Sequence, residues 1–255
     1  MTRLPALDLH AHIDPGIDPD ELAVLSAAVF AVTRSLDETV IALRRRDRMV
    51  VWGVGCHPGL AGAHQRFSSD QFAELLEHAA FVGELGLDGR SRVPMPLQLG
   101  TLRSALEVLV ETPRLVSLHS YAATEMLLDE LESIRIKGVI LHWWLGDAAQ
   151  AKRAISLDCF FSVNASSVQR AETLAAIPLD RVLTETDHPF GDRHAPAPRR
   201  PGSVEDVEAS LAAHYGISTR EMRHQIWRNL GRLVRETGSS GLLPRAVRSE
   251  LAALL

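Results

Sequence analysis

Short apolar runs alternate with stretches of helical periodicity from one end of the chain to the other. The runs are Leu7–Ala11, Val29–Thr33, Val50–Gly55, Phe81–Leu85, Leu115–Leu118, Gly138–Leu141, Cys159–Val163 and Arg181–Thr184. Between them Asp70–Ala79, Leu97–Glu111, Ala122–Ile134 and Ser166–Ile177 carry leucine and alanine at helical spacing. Strands separated by helices pair in parallel through right-handed crossovers, and about eight such units predict a closed α/β barrel of the TIM (β/α)8 type. An open doubly wound sheet would need a glycine-rich phosphate turn after its first strand; His12-Ile13-Asp14-Pro15-Gly16 is not one. One barrel domain is expected over residues 1–255, with no repeat, linker or low-complexity block. Its last part, 238–255, reads as an amphipathic tail helix with Leu242, Leu243, Val247, Leu251 and Leu254 as apolar positions, expected to cap the barrel or to dock a protein partner. Gly191–Gly202, rich in Pro, Arg and His, predicts a long loop over the barrel mouth.

Polar residues interrupt this pattern in a particular place. Asp8, His10 and His12 alternate with Leu7, Leu9 and Ala11, so in a strand one face carries a carboxylate and two imidazoles. Burying such rings without partners costs a few kcal/mol, and a metal ion removes that cost. The other runs end in the same chemistry: His57 in Gly-Cys-His-Pro-Gly, Glu84 in Gly-Glu-Leu-Gly-Leu-Asp, His119 in Leu-His-Ser, His142 in Leu-His-Trp-Trp, and Asp187 in Thr-Glu-Thr-Asp-His-Pro. In a parallel barrel all strand C-termini meet at one face, so these side chains gather around one mouth. Imidazole and carboxylate together suit zinc, or manganese and magnesium where water supplies further positions.

Composition narrows the rest. Of 255 residues, 46% are hydrophobic and 23% charged, which fits a globular chain and not a disordered or fibrous one. A net charge of -5 carries no global basic field for a polyanion, so a tight non-specific nucleic-acid binder is disfavoured while an enzyme with metal-borne local charge is not. Cys56 and Cys159 are the only cysteines, too few for a disulfide framework. With no apolar stretch long enough for a bilayer and no cationic leader, a soluble cytoplasmic protein without membrane contact is expected.

The ordered set Asp-Leu-His-Ala-His at 8–12, Gly-Cys-His-Pro at 55–58, Gly-Glu-Leu-Gly-Leu-Asp at 83–88, His119, His142, Thr-Glu-Thr-Asp at 184–187 and Asn229 in Trp-Arg-Asn-Leu resembles the TatD-like metal-dependent hydrolases. These form a branch of the amidohydrolase superfamily and are commonly deoxyribonucleases on a TIM-type barrel. The resemblance implies two divalent ions (Zn, Mg or Mn). His10, His12, Glu84 and Asp187 would hold one, and Glu84, His119 and His142 the other, with Glu84 bridging. Asp8 would orient a ligand imidazole, and Glu185 would stand with it behind the ligands. Two such ions can polarise a phosphoryl oxygen and activate water, with Asp187 as the group that accepts the water's proton. The short turns after Glu84 and His142 also resemble the TatD-type nuclease of Qat anti-phage systems.

The chain departs from the family's pattern at three places. Tyr121 stands where an arginine is usual two residues after His119. Trp143 and Trp144 replace a Cys-Phe-Ser-Gly-like turn and either stack bases or fill the barrel rim. His188 follows Asp187 where a small residue is usual, as a substrate contact or a spare ligand. His57 is expected at the mouth, Cys56 in packing. Arg193, Arg199 and Arg200 lie on the loop that could reach a phosphate backbone, whereas Arg44-Arg45-Arg46-Asp47-Arg48 reads as a solvated face near the barrel bottom. The function expected is hydrolysis of DNA phosphodiester bonds, at single-stranded or frayed ends. The alternatives are an amidohydrolase-type hydrolase of a small amide, lactone or phosphoester, and a catalytically silent partner-binding barrel. Many dinuclear amidohydrolases bridge with a carboxylated lysine; Lys137 and Lys152, the only lysines, stand before a strand and within a helix, which leaves the bridge to Glu84.

Overall fold

The computed structural model describes residues 4–191 and 199–254. Nine parallel strand segments form the centre: β1 Ala6–His12, β2 Ala27–Val32, β3 Val50–Trp52, β4 Val54–Gly55, β5 Phe81–Gly86, β6 Leu115–His119, β7 Val139–Leu141, β8 Phe160–Val163 and β9 Val182–Thr184. They pair in the order β1-β2-β3 and β4-β5-β6-β7-β8-β9. β3 and β4 are two halves of one barrel strand, parted at Gly53. That glycine still donates to the Ala31 carbonyl at 2.9 Å. A Cβ there would lie 2.6 Å from the backbone of Gly83, so only glycine lets the chains pass at this point.

The seam between the eighth and first barrel strands is held by individual bonds in place of a continuous ladder. Thr184 Oγ1 donates to Leu7 O at 2.6 Å. Beyond β9, Asp187 N donates to His10 O and His12 N to His188 O, both at 2.8 Å, and Ala11 pairs with His188. The TIM-type barrel predicted from the alternation is therefore the fold, and its closing bonds run through the residues that carry the chemistry.

Strands buried on both faces need helices outside and branched side chains inside. Val29, Phe30, Val82, Val116, Ile140, Phe161 and Leu183 are buried between the two sides. Helices Leu36–Ala42, Ser69–Leu76, Met95–Glu111, Thr124–Ser133, Ala148–Ser156, Glu205–Tyr215 and Thr219–Thr237 cover the outside. Their starts are set locally: Ser35, Ser68, Asp147 and Ser218 each cap a helix with a side-chain oxygen. No helix among the described residues is long and apolar enough to cross a membrane.

Three expectations change. Ser166–Ile177 is not one helix but a 3-10 turn, Ser167–Gln169, and a short helix, Ala171–Ala175, parted at Arg170. The tail is likewise not helical from residue 238: Ser239–Leu242 is a 3-10 turn, and Pro244 delays the helix to Arg245–Ala252, because proline fixes φ and starts a helix better than it continues one. Its apolar side is turned inward: Leu243 and Val247 are buried, and Leu251 and Leu254 pack against the core. Nor is the basic run merely solvated, since Arg45 pairs with Asp47, donates to the carbonyls of Pro15 and Ile17 and lies over Trp52.

Candidate metal centre

Period-two alternation along β1 delivers His10 and His12, and the ends of β5 and β6 deliver Glu84 and His119. His142 follows β7 by one residue and Asp187 follows β9 by three. All converge. His12 Nε2 lies 3.3 Å and His10 Nε2 3.7 Å from Asp187 Oδ1. His119 Nδ1 and His142 Nε2 lie 3.4 and 3.6 Å from Glu84 Oε1 and 3.0 Å from each other. Glu84 turns its other oxygen the opposite way, with Oε2 3.6 Å from His12 Nε2.

This donor set fits metal. His10-His12-Asp187 and Glu84-His119-His142 each bring three ligand atoms within 4.8 Å of one another, and a third group, His10-His142-Glu185, does the same. Ligands about 2.1 Å from one ion stand about 3.0–3.4 Å apart, close to the separations here. His10 Nε2 and Glu84 Oε2 are buried without a hydrogen-bond partner, an arrangement that costs free energy until something binds them.

The protonation states agree. Burial holds His10 well below the ordinary imidazole value, and His142 down to about 4, with neighbouring imidazoles adding to the effect. His12 and His57 are lowered, again first by burial. Burial works to raise Glu84, but the surrounding imidazoles, His57 and His12 foremost, hold it well below the usual carboxylate range. Neutral imidazoles around an ionised carboxylate are the forms that bind cations.

The groups behind these donors differ from expectation. Asp8 contacts no imidazole. Its Oδ1 accepts from the Thr186 and His10 backbone N–H groups, and its Oδ2 from Thr186 Oγ1 and Gly202 N, so it clamps the seam. The His10 ring is held instead by Ser117, whose Oγ meets Nδ1 at 2.7 Å. Glu185 does stand behind His142, with Oε1 3.9 Å from Nδ1. It accepts from Ser162 Oγ, Asn164 Nδ2 and Trp143 N. Burial, reinforced by Asp187, raises it well above the usual carboxylate value. Asp88, whose Oδ2 lies 3.8 Å from His119 Nε2, extends the cluster toward the loop after β5.

Of the expected substrate contacts, His57 and Tyr121 do stand at the mouth. His57 Nδ1 accepts from Gly59 N at 2.8 Å, so its proton is on Nε2, aimed at Glu84 Oε1 3.5 Å away. Tyr121 is exposed. Trp143 is half-buried at φ 42°, a left-handed conformation that costs a non-glycine residue free energy and recurs at functional sites. Asp187, at φ 48°, shares it. Trp144 cannot stack a base: it is fully buried, 5.0 Å from the Phe161 ring, and a Cβ at Gly146 would strike it at 2.2 Å. His188 gives its backbone to the seam, and its ring is part-buried beside it. Arg199 is drawn away by Asp206, to which both terminal nitrogens donate. Arg200 is exposed, and Arg193 lies outside the described residues. Asn229 is structural, donating to the Leu179 and Val182 carbonyls at the foot of β9.

The signals for the missed residues lay in the apolar runs. Ser117 precedes His119 by two in β6, and Ser162 interrupts Phe160–Val163. A lone hydroxyl inside a buried strand must bond to something, and here that is a ligand's ring and a ligand's neighbour.

A parallel barrel with clustered imidazoles and carboxylates at its C-terminal mouth is the architecture of a metal-dependent hydrolase. The family described as TatD related DNase matches residues 7–235, and the chain belongs to it. An uncharacterised metal-dependent hydrolase of Bacillus subtilis is 27% identical over 62% of this chain and 66% of its own length. The 3'-5' ssDNA/RNA exonuclease TatD of Klebsiella pneumoniae is 28% identical over 56% and 60%. The chain thus spans just under two thirds of these two relatives. It spans 94% of another uncharacterised metal-dependent hydrolase, from Escherichia coli K12, at 25% identity over 89% of this chain. Among solved structures, a TatD homologue from Escherichia coli K12 superposes with a TM-score of 0.79 at 24% identity, covering 89% of this chain and 97% of that one; at that identity the likeness speaks for the fold.

Proposed function

We propose that this chain is a metal-dependent nuclease that hydrolyses phosphodiester bonds of DNA at unpaired ends, with two divalent ions (zinc, magnesium or manganese) at the mouth. His10, His12, Glu84 and Asp187 would hold one, and Glu84, His119 and His142 the other. The observation that carries the reading is Glu84 itself: one oxygen faces His12, the other faces His119 and His142. Lys137 and Lys152 are both exposed, away from the mouth, which weighs against a carboxylated-lysine bridge and the small-molecule amidohydrolase reading.

Bound there, divalent ions supply Lewis acidity at the phosphoryl oxygen and lower the pKa of water. The protein does the rest. Asp187, fixed by its bond to His10 O, accepts the proton of the attacking water. His57 keeps its Nε2 proton turned into the site, where it donates to a phosphate oxygen or leaving oxygen. The Ser117 and Glu185 contacts hold the His10 and His142 rings in register. The nuclease names of the Klebsiella relative and of a human 3'-5' RNA nuclease, 26% identical over 55% of this chain, support nucleic acid as the substrate. The setting we assign is cytoplasmic phage defence, on the resemblance of the turns after Glu84 and His142.

Labelled single- and double-stranded DNA and RNA, incubated with protein loaded with zinc, magnesium or manganese, test the activity. Single-stranded DNA should be cleaved fastest, and Asp187→Asn should lose about a hundredfold or more. Absence of cleavage with every ion, or wild-type turnover by the variant, overturns the reading. Deletion of the gene should raise phage plating; unchanged plating removes the defence role.

A further inference from the structure

The chain has seven Phe, four Trp and two Tyr, and among them only two rings stand exposed, Tyr121 at 52% and Phe190 at 40%. Single exposed apolar residues need no explanation on a protein surface. Here, however, both exposed aromatics follow ligand-bearing strand ends, Tyr121 two residues after His119 and Phe190 three after Asp187. In the order of barrel strands, β1 and β6 are first and fifth of eight and so lie diametrically across the mouth. Phe190 belongs to the β1 side, its ring edge-to-face with His12 at 5.0 Å, its N–H bonded to Asp187 O at 2.7 Å. Tyr121 belongs to the β6 side, its carbonyl bonded to Gly89 N at 2.8 Å. Two exposed aromatic residues thus follow strand ends on opposite sides of the donor cluster.

Of the other groups expected to grip a strand, three are committed elsewhere, while Arg200 is exposed. Arg199 is bound to Asp206, Trp144 is in the core, and the Trp143 indole is turned inward, its Nε1 buried. On the reading of this site as a nuclease centre, we infer that Phe190 and Tyr121 form a two-sided aromatic clamp that stacks the unpaired bases on either side of the scissile phosphate. Stacking needs a splayed base and accepts any base, because every base has a π-face. The clamp therefore excludes intact duplex and reads no sequence, which makes the specificity of the site one of strandedness.

The test couples ring to base. Single-stranded oligonucleotides carrying one abasic residue, moved stepwise along the strand, are cleaved by wild type, Phe190→Ala, Phe190→Leu and Tyr121→Ala. In wild type, kcat/KM should fall about tenfold when the abasic residue reaches either of two positions, the scale of one base on one ring. Phe190→Ala should abolish the penalty at one position and Tyr121→Ala at the other. Phe190→Leu, which keeps an apolar contact on His12 but has no π-face, should behave as Phe190→Ala while keeping the wild-type melting temperature. Abasic penalties that persist unchanged in all three variants overturn the clamp while leaving the nuclease reading intact. If wild type cleaves no oligonucleotide at all, both fall together.

Discussion

Asp8 accepts two hydrogen bonds from Thr186, from its backbone N–H at 2.8 Å and from its hydroxyl at 2.7 Å. The same carboxylate takes Gly202 N at 2.7 Å. These bonds join the first strand to the segment after the last one, next to Asp187, so barrel closure and placement of that carboxylate are one structural event. Asp8→Ala should therefore act on both. It orphans the buried Thr186 and Gly202 N–H groups, at about 1–3 kcal/mol each, and releases the backbone that carries Asp187. Denaturant unfolding should show a loss of several kcal/mol, and metal content should fall with it. A variant with unchanged midpoint and full metal content would mean that the seam is held by the backbone bonds alone.

Ser117 and Glu84 separate a ring-positioning role from a direct one. Ser117→Ala removes the partner of His10 Nδ1 without touching a donor atom, and loss of such outer contacts typically weakens metal binding about 10–100-fold. Glu84→Ala removes the oxygens that face both groups of imidazoles, so elemental analysis should show the larger loss there. Chelator competition should then rank wild type above Ser117→Ala above Glu84→Ala. Metal content unchanged in Glu84→Ala would remove it as the shared ligand.

What could be read from the sequence follows from period. The β1 sequence alternates strictly, which puts His10 and His12 on one face, and strand ends locate Glu84, His119 and Asp187 because a parallel barrel has only one C-terminal mouth. Side-chain direction in irregular turns was not legible. Trp143 and Trp144 are adjacent and chemically identical, yet Trp143, at a left-handed backbone, is half-buried while Trp144 is fully buried beside Phe161. Loop position alone points Arg199 at the mouth, and only the fold brings Asp206 within reach of it. Nothing in His-Pro-Phe-Gly distinguishes a packed ring from one standing against His12.

Acid should unfold the metal-free protein through its imidazoles. His10, His12, His57, His64 and His142 all sit below the ordinary histidine value, burial being the first cause in each. A group that is harder to protonate in the folded state binds fewer protons there than in the unfolded chain, so stability is fully present above the unfolded value and is lost as pH falls through it. For His142, lowered from 6.5 to about 4, the contribution lost across that window is about 3 kcal/mol. Asp8 works the other way. Its carboxyl, pushed by burial from 3.8 up to about 6, protonates earlier in the folded state, which adds stability as pH falls from 6 toward 4; Glu185, also raised, has the same sign. Five imidazoles against two carboxyls leave a net loss on acidification. Thermal melts in chelator should fall steadily from pH 6.5 to about 4, and His142→Gln should have a shallower slope because its side chain does not titrate. Bound metal, which competes with protons for the same nitrogens, should displace the wild-type curve to lower pH. A chelated wild-type protein whose melting temperature holds level or rises across this window would show that the cluster is already protonated at neutral pH, and that the donors need rearrangement before they can bind an ion.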